Sequence, residues 1–398
     1  MFAVSLFAGL ASAGGNGDAE DDAVLSGTAK WSVLVYLVAD NSLDDYTDTD
    51  LEELKAGGSS ADVNVLILMD KLYEPACLLA VVGHELVMLA DLGELNMGDP
   101  ATLAWFVDYS VSNCPAEHML LFFWDHGSGV NGVALDETME DGTVGEDWLS
   151  HHELVSALDG HHVDIIAADE CSVGQMETVY EYRVKGLDMD YLVASESYIS
   201  WRGFSYDEIL IALNGDSDMD ERELSLVIVE AFTDLFSVPP YQSEILTTQS
   251  VFDMSKIPAL GDAVIALADG LAADIDGYRD AIGAAQISSI MPWGARLEGW
   301  IDFPTFVEEL MGSLGKNDPV LKLCEDVMDA YGEAMIGMGV AKNTDLYGYK
   351  GMGILFPQSY SMYTVAHAST DWGGFDIYST FVFPNMGWWQ FLETYWGV

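Results

Sequence analysis

Two side chains in this sequence have the chemistry of a nucleophile and its base. Cys171 stands in VDIIAADECSVG (163–174) and His126 in HMLLFFWDHGSG (118–129), 45 residues apart. Cleaving an acyl bond with a thiol needs the sulfur, an imidazole to take its proton, and donors for the developing oxyanion. Gly127 and Gly129 let the backbone after the histidine approach a substrate closely. The backbone N–H groups of Gly127 and Cys171 are then the natural oxyanion donors. Asp169 and Glu170 directly before the thiol raise a question, because negative charge beside a sulfur makes its thiolate harder to form. A lone Cys and a lone His also occur as packing residues, so spacing alone leaves both readings open.

The elements that position these residues are short apolar runs ending in polar groups. WSVLVYLVADNS (31–42), VNVLILMD (63–70), HMLLFFWDHGSG, VDIIAADEC (163–171) and YLVASES (191–197) are nearly continuous in hydrophobicity. Such runs predict strands buried on both faces, as in a parallel sheet. Helical patterns over 43–56, 100–112, 151–158 and 173–184 alternate with them, which predicts an α/β sandwich. Residues 77–92 read as an inserted hairpin. Ligands of an open α/β sheet bind outside the carboxyl ends of its strands, so His126 and Cys171 are expected on one rim. Past residue 236 the texture changes. SVPPYQ (237–242) marks a break, 251–289 reads as helices, YKGMGILFPQ (349–358) as a strand and MGWWQFLETYWGV (386–398) as an aromatic helix. The expected division is a signal peptide at 1–14, an acidic spacer at 15–30, an α/β domain at 31–236 and a mostly helical C-terminal subdomain at 237–398 packed on it.

Charge restricts the partners. Among 398 residues, 66 acids stand against 14 Lys and Arg, for a net −52, while half of the residues are hydrophobic. That field repels nucleic acid and anionic membranes, and fits a salt-adapted host or an acidic secreted protein. The opening has an apolar stretch, Phe2–Leu10, then Ala11-Ser12-Ala13, a small-residue cleavage pattern, although the first basic residue is Lys30. Export to the cell surface or medium is expected, and no run is long enough for a membrane span. Cys77, Cys114, Cys171 and Cys324 show no CxxC pairing, so a zinc ribbon is excluded. If Cys171 is a nucleophile, at least one other thiol is unpaired.

Metal readings are weaker. No cofactor is required by thiol chemistry. ALDETMEDGTVGED (134–147) offers hard oxygen ligands for calcium, but its spacing is not that of an EF-hand, and a solvated acidic loop is the preferred reading. The pairs His151-His152 and His161-His162 lack the one-face spacing of a zinc site and read as surface or packing residues. Trp388, Trp389 and Trp396 fall at helical spacing and are expected to cover core. In DNSLDDYTDTDLEEL (40–54), Asn41 or Asp44 is the expected helix cap, with Asn41 at the rim.

The two reactive motifs, read as LLFFWDHGSGVNGVALDET and DECSVGQMETVYEY, resemble the clostripain family of cysteine peptidases in the caspase-like clan. LGELNMGDPATLAWFVDYS (92–110), YLVASES followed by GFSYDEIL (203–210), GMGILFP and WWQFLETYW extend the resemblance over residues 31–398. It implies a caspase-like α/β/α sandwich with a mainly parallel sheet, and an endopeptidase acting on protein or peptide substrates through a thioester. Residue by residue, it implies His126 as general base and then acid, Cys171 as nucleophile, and Asp169 as the S1 acid that pairs with Arg or Lys at P1. An acid beside the thiol is then explained by the substrate cation it holds. Glu170 departs from the small residue usual there and is expected to face solvent. Asp136 matches an acidic position of the family's linker, and some relatives of this type use calcium.

Two further departures bear on specificity. SESYISWRGFSY (195–206) is expected to wall S1 and contains Arg202, which would neutralise Asp169 if turned inward and would not from the rim. Members of the family are often activated by self-cleavage after a basic residue between the histidine and cysteine strands, yet no Lys or Arg occurs from 72 to 182. Competing readings are a caspase-like binding or scaffold protein with an unused site, an acidic calcium-binding surface protein, and a thiol hydrolase of non-peptide bonds. Oligomeric state is left open.

Overall fold

The computed structural model describes residues 28–139, 142–243, 247–291, 299–341, 348–367 and 377–398. The signal-peptide reading of 1–14 and most of the spacer fall outside the described residues. The apolar runs form strands β1 (Ala29–Ala39), β2 (Val63–Lys71), β3 (Glu74–Val82), β4 (Glu85–Gly93) and β5 (Ala116–Trp124). A small hairpin, β6 (Val133–Thr138) and β7 (Val144–Leu149), precedes β8 (His162–Asp169), β9 (Asp188–Ala194) and β10 (Thr248–Asp253). Strands β11 (Trp300–Asp302), β12 (Met335–Val340) and β13 (Gly353–Leu355) follow. One sheet of nine strands has the order β12-β10-β9-β8-β5-β1-β2-β3-β4. Its centre, from β9 to β2, is parallel, and the flanking pairs are antiparallel.

The near-continuous hydrophobicity follows from cover on both faces. In β1, Leu34, Tyr36 and Val38 enter a core with Phe106 and Val264 from helices on one side. Val33, Val35 and Leu37 enter a second core with Leu54, Leu210 and Ile228 on the other. Alternating side chains thus both meet helices, as a parallel sheet between helical layers requires. Helices Pro100–Asn113, His151–Ala157 and Met176–Val184 lie close to their expected spans. The first helix, Thr47–Gly57, starts after Tyr46 with no side-chain cap, so neither Asn41 nor Asp44 caps it.

The stretch after 236 does more than pack on the sheet. β10 pairs with β9 and β12 with β10, so this region completes the sheet that carries the candidate site. Its helices, including Ile257–Ala272 and Pro319–Ala334, supply the helical part. Trp388 is buried, with its indole N–H on the Leu355 carbonyl, and Trp396 likewise donates to the Pro357 carbonyl. Residues 351–355 form a strap against the elements around Cys171. Gly353 N–H donates to Gly174 O (3.1 Å), Gly351 N–H to Glu196 (2.9 Å) and Leu355 N–H to Glu177 (3.1 Å).

Candidate active site

Register fixes the meeting of the two motifs. β5 and β8 are parallel neighbours with Trp124 opposite Asp169, so Asp125-His126-Gly127 and Glu170-Cys171 leave the sheet side by side. His126, Gly127, Asp169, Glu170 and Cys171 line one cleft of about 360 Å³, closed by Leu43 and by Tyr198 to Trp201. Gly127 is a glycine by necessity: a Cβ there would overlap the Cys171 carbonyl oxygen and lie 3.0 Å from the Cys171 nitrogen. The two expected oxyanion donors therefore belong to backbones in contact.

Around the histidine, Asn41 lies at the rim as expected, while Ser42 and Asp125 were not singled out from the sequence. Ser42 Oγ lies 3.0 Å from His126 Nε2. Asp125, next to the histidine in the chain, accepts from Asn41 Nδ2 (2.7 Å) and from the Leu135 N–H. Asn41 is fully buried, and its amide also donates to the Leu135 carbonyl (2.8 Å) while its oxygen accepts from the Leu43 N–H. It ties the ends of β1 and β5 to β6. Burial lowers the His126 pKa, so the imidazole rests neutral.

The thiol sits in a turn stitched to the loop after β9. Ser172 has φ of 58°, its N–H donates to Ser197 O (2.8 Å), and Gly174 N–H donates to Ser195 O (2.7 Å). The Ile199 N–H points at Cys171 Sγ from 3.3 Å. Burial pushes the thiol up to about 11; the Ile199 N–H opposes this, and Glu170, Asp169 and Asp125 add to it. The resting pair is thus a neutral thiol beside a neutral imidazole.

Asp169 and Glu170, adjacent in sequence, occupy different environments. Asp169 Oδ2 accepts from the Phe204 N–H and the Tyr206 hydroxyl, both at 2.9 Å, while no hydrogen-bond donor from the described residues reaches Oδ1. Burial lifts its pKa to about 6 against those two donors. Gly203 packs on this carboxylate with φ of 57°, where a Cβ would overlap Oδ2. Glu170 does not face solvent as expected. It is 1% exposed, because the turn at Cys171 folds it back against β6, where Oε1 accepts from the Ala134 N–H (3.1 Å) and Oε2 has no partner. Burial, and next the charge of Asp169, push it well above the carboxylate range.

Arg202 lies neither at the rim nor against Asp169. It is buried, with its guanidinium on Glu53 and Asp50 of the first helix and over the Tyr241 ring. Asp50 in turn accepts from Trp124 Nε1 (2.7 Å). Trp201, next in the loop, stacks on Tyr46 with ring centroids 4.9 Å apart.

The remaining candidates fall outside the cleft. Within 134–147, residues 134–138 and 144–147 lie in the paired strands β6 and β7, and Asp136 is fully buried, accepting from the Met97 N–H (2.8 Å) and the Thr138 N–H (3.0 Å). His151 is buried between the Tyr182 hydroxyl (2.7 Å) and Gly129 O (2.6 Å), and burial drops it to about 4. It braces the glycine turn after His126. His152 pairs with Glu181 and His161 with Asp108. His162 gathers with Asp164 and Asp190, and His118 with Asp164 and Glu221, each trio offering ligand atoms within 4.8 Å of one another. Cys77, Cys114 and Cys324 are buried free thiols. No described helix is long and apolar enough to cross a membrane.

Comparison with known proteins agrees with this geometry. The family profile described as "Clostripain family" matches residues 35–337. Clostripain of Hathewaya histolytica is 24% identical over 408 residues, covering 86% of this chain and 77% of that protein. A secreted C11 cysteine protease from Bacteroides thetaiotaomicron, solved with an irreversible peptide inhibitor, has a TM-score of 0.64 at 20% identity, over 86% of this chain and 98% of that one. An inactive zymogen C11 protease from Parabacteroides distasonis gives 0.63 at 20% identity, over 92% and 99%. With the profile spanning most of the chain and the same mainly parallel α/β fold in those neighbours, this protein belongs to the clostripain family and is a cysteine-type endopeptidase.

Proposed function

We propose that this protein is an exported endopeptidase that cuts after Arg or Lys, with Cys171 as nucleophile and His126 as its base. The observation that carries the specificity is the state of Asp169. One oxygen is held by Phe204 and Tyr206, the other has no donor among the described residues, and Arg202 is engaged elsewhere. A guanidinium or ammonium at P1 supplies the missing partner. The export signal read in residues 1–14, and the description of one structural neighbour as secreted, support release from the cell.

The neutral resting pair dictates the order of events. His126 takes the Cys171 proton as the sulfur attacks the carbonyl carbon, and the oxyanion turns toward the Gly127 and Cys171 N–H groups. The C–N bond breaks as His126 returns that proton to the amine, leaving a thioester. Water, deprotonated by His126, then cleaves the thioester, and Cys171 recovers its proton. Ser42 at Nε2 leaves Nδ1 of the ring as the nitrogen for this traffic.

Peptides differing only at P1 (Arg, Lys, Asp, Asn, Ala) test the reading, with Cys171→Ala as control. Cleavage after Arg and Lys that vanishes in the control is expected. Turnover confined to another P1 residue would remove Asp169 from the S1 pocket as its selecting acid, and turnover unaffected by the substitution would remove Cys171 as nucleophile.

A further inference from the structure

The end of the sheet opposite the reactive rim carries a polar cluster that peptide cleavage does not use. His126 and Cys171 follow the carboxyl ends of β5 and β8, whereas His118, His162, Asp164, Asp188 and Asp190 stand near the amino ends of β5, β8 and β9. β8 and β9 run parallel with His162 opposite Asp188. Residues two apart on a strand point the same way, so His162 and Asp164 share a face of β8, and Asp188 and Asp190 share one of β9. His162 Nε2 lies 3.3 Å from Asp190 Oδ2 and 3.8 Å from Asp164 Oδ1, and the ligand atoms of these three residues all fall within 4.8 Å of one another. Donors on one tetrahedral zinc ion, each about 2.0–2.2 Å from the metal, stand about 3.3–3.6 Å apart, so a small contraction brings the three onto a common centre. His162, beside His161 in the chain without metal-site spacing, thus meets its partners through the sheet.

The ligand atoms are aimed by groups behind them. Asp188 Oδ1 is 3.2 Å from His162 Nδ1, which leaves Nε2 as the ligating nitrogen. Asp164 is buried, and its Oδ2 accepts from the Met119 N–H (2.7 Å), which leaves Oδ1 toward the histidine. A carboxylate behind an imidazole and an N–H behind a ligating carboxylate are the outer contacts by which metal centres orient their ligands. A second imidazole, His118, stacks on Trp31 and brings Nδ1 to 2.6 Å from Asp164 Oδ1. We infer that His162, Asp164 and Asp190 bind a zinc-class transition-metal ion, with His118 as the nearest further nitrogen donor. Imidazole mixed with carboxylate suits zinc and its neighbours, whereas calcium and magnesium take oxygen ligands. His162 and Asp190 are half-exposed, so the ion has a path from solvent. Bound there, it clamps β8 to β9 at the end of the sheet away from the thiol. It is a stabilising centre outside the cleavage step, and the inference does not rest on the roles proposed for His126 and Cys171.

The test uses the full chain carrying Cys171→Ala, stripped with chelator and kept in concentrated potassium nitrate to suppress loose ion binding to a protein of charge −52. Zinc is titrated by calorimetry, thermal unfolding gives a second readout, and cobalt(II) reports the ligand types by its absorption spectrum. One saturable zinc site is expected, retained in excess calcium and raising the unfolding midpoint by roughly 3–4 °C at about a hundredfold excess over Kd. Cobalt in that site should lack the charge-transfer band that a thiolate ligand adds. His162→Gln should abolish the site, and Asp188→Asn, which removes the orienting carboxylate, should weaken it roughly 10–100-fold. Both positions are exposed, so the fold tolerates the changes. His161→Ala, at the neighbouring histidine that pairs with Asp108, should leave binding unchanged. No saturable zinc binding, which would leave the imidazoles as plain ion-pair partners, overturns the inference. So does binding that survives His162→Gln, disappears with His161→Ala or shows the sulfur band.

Discussion

The end of β1 separates two groups of buried acids that are neutralised in opposite ways. On one side Asp50 and Glu53 close around Arg202, and the Trp124 indole and the Phe204 carbonyl complete the network. On the other, Asp70 and Asp136 accept from the backbone N–H groups of Leu95, Met97 and Thr138, and burial lifts both carboxyls toward their protonated forms. Where the chain holds a loop permanently, it supplies its own guanidinium. Where it supplies no cation, burial favours the protonated carboxyl, and at Asp169 the cation is proposed to come from the substrate.

Breaking the first group should have the largest effect. Arg202→Ala strands Asp50 and Glu53 in the interior and should lower unfolding stability by about 3–5 kcal/mol, read by urea denaturation. Asp70→Asn, which replaces a carboxyl that burial keeps protonated, should cost far less by the same measurement, and equal losses in the two variants would erase the contrast. Next comes Asp169→Asn, which should reduce kcat/KM for an Arg substrate by roughly 10²–10³, on the scale of a lost buried charge pair. Cleavage of an Ala substrate should change far less, and a uniform loss over both would mean that Asp169 supports the turn and does not bind P1.

The same carboxyl predicts a pH effect. Its pKa, lifted to about 6, means that acidification through that value neutralises the group proposed to attract P1. KM for Arg or Lys substrates should therefore rise below about pH 6, whereas a neutral-P1 substrate should report only the protonation of His126. A KM for Arg that is flat across this range would show that the ionised acid is not used. Ser42→Ala should lower kcat about tenfold, equal to about 1.4 kcal/mol of lost ring positioning, with KM unchanged. Ser42→Thr should rescue it. Smallest is Tyr206→Phe, which removes one donor from Asp169. It should cost about 1 kcal/mol of stability and move the acid limb of KM to higher pH.

What the sequence revealed and what it concealed have physical causes. The runs ending at Asp40, Asp70, Asp125 and Asp169 were legible because two-sided burial leaves almost no polar residue inside them, and the rim position of His126 and Cys171 followed from that. β10 and β12 escaped notice because TQSVFD and MIGMGV are short, partly polar or glycine-rich strands without that signature. The burial of Glu170 and the inward turn of Arg202 depend on which way a loop folds, and no local pattern encodes it. Ser42 had one usable signal, its place just after a strand end on the reactive rim.

The strap at 351–355 has a consequence for timing. During synthesis both reactive residues leave the ribosome well before the segment that immobilises their surroundings. A chain still lacking residues 349–398 contains His126 and Cys171 but does not yet have the strap's donors for Glu177 and Glu196, which flank the Cys171 turn and end fully buried. Only when Gly351, Gly353 and Leu355 dock does the turn carrying the sulfur gain its outer wall. Completion of the surroundings of Cys171 therefore coincides with completion of the fold.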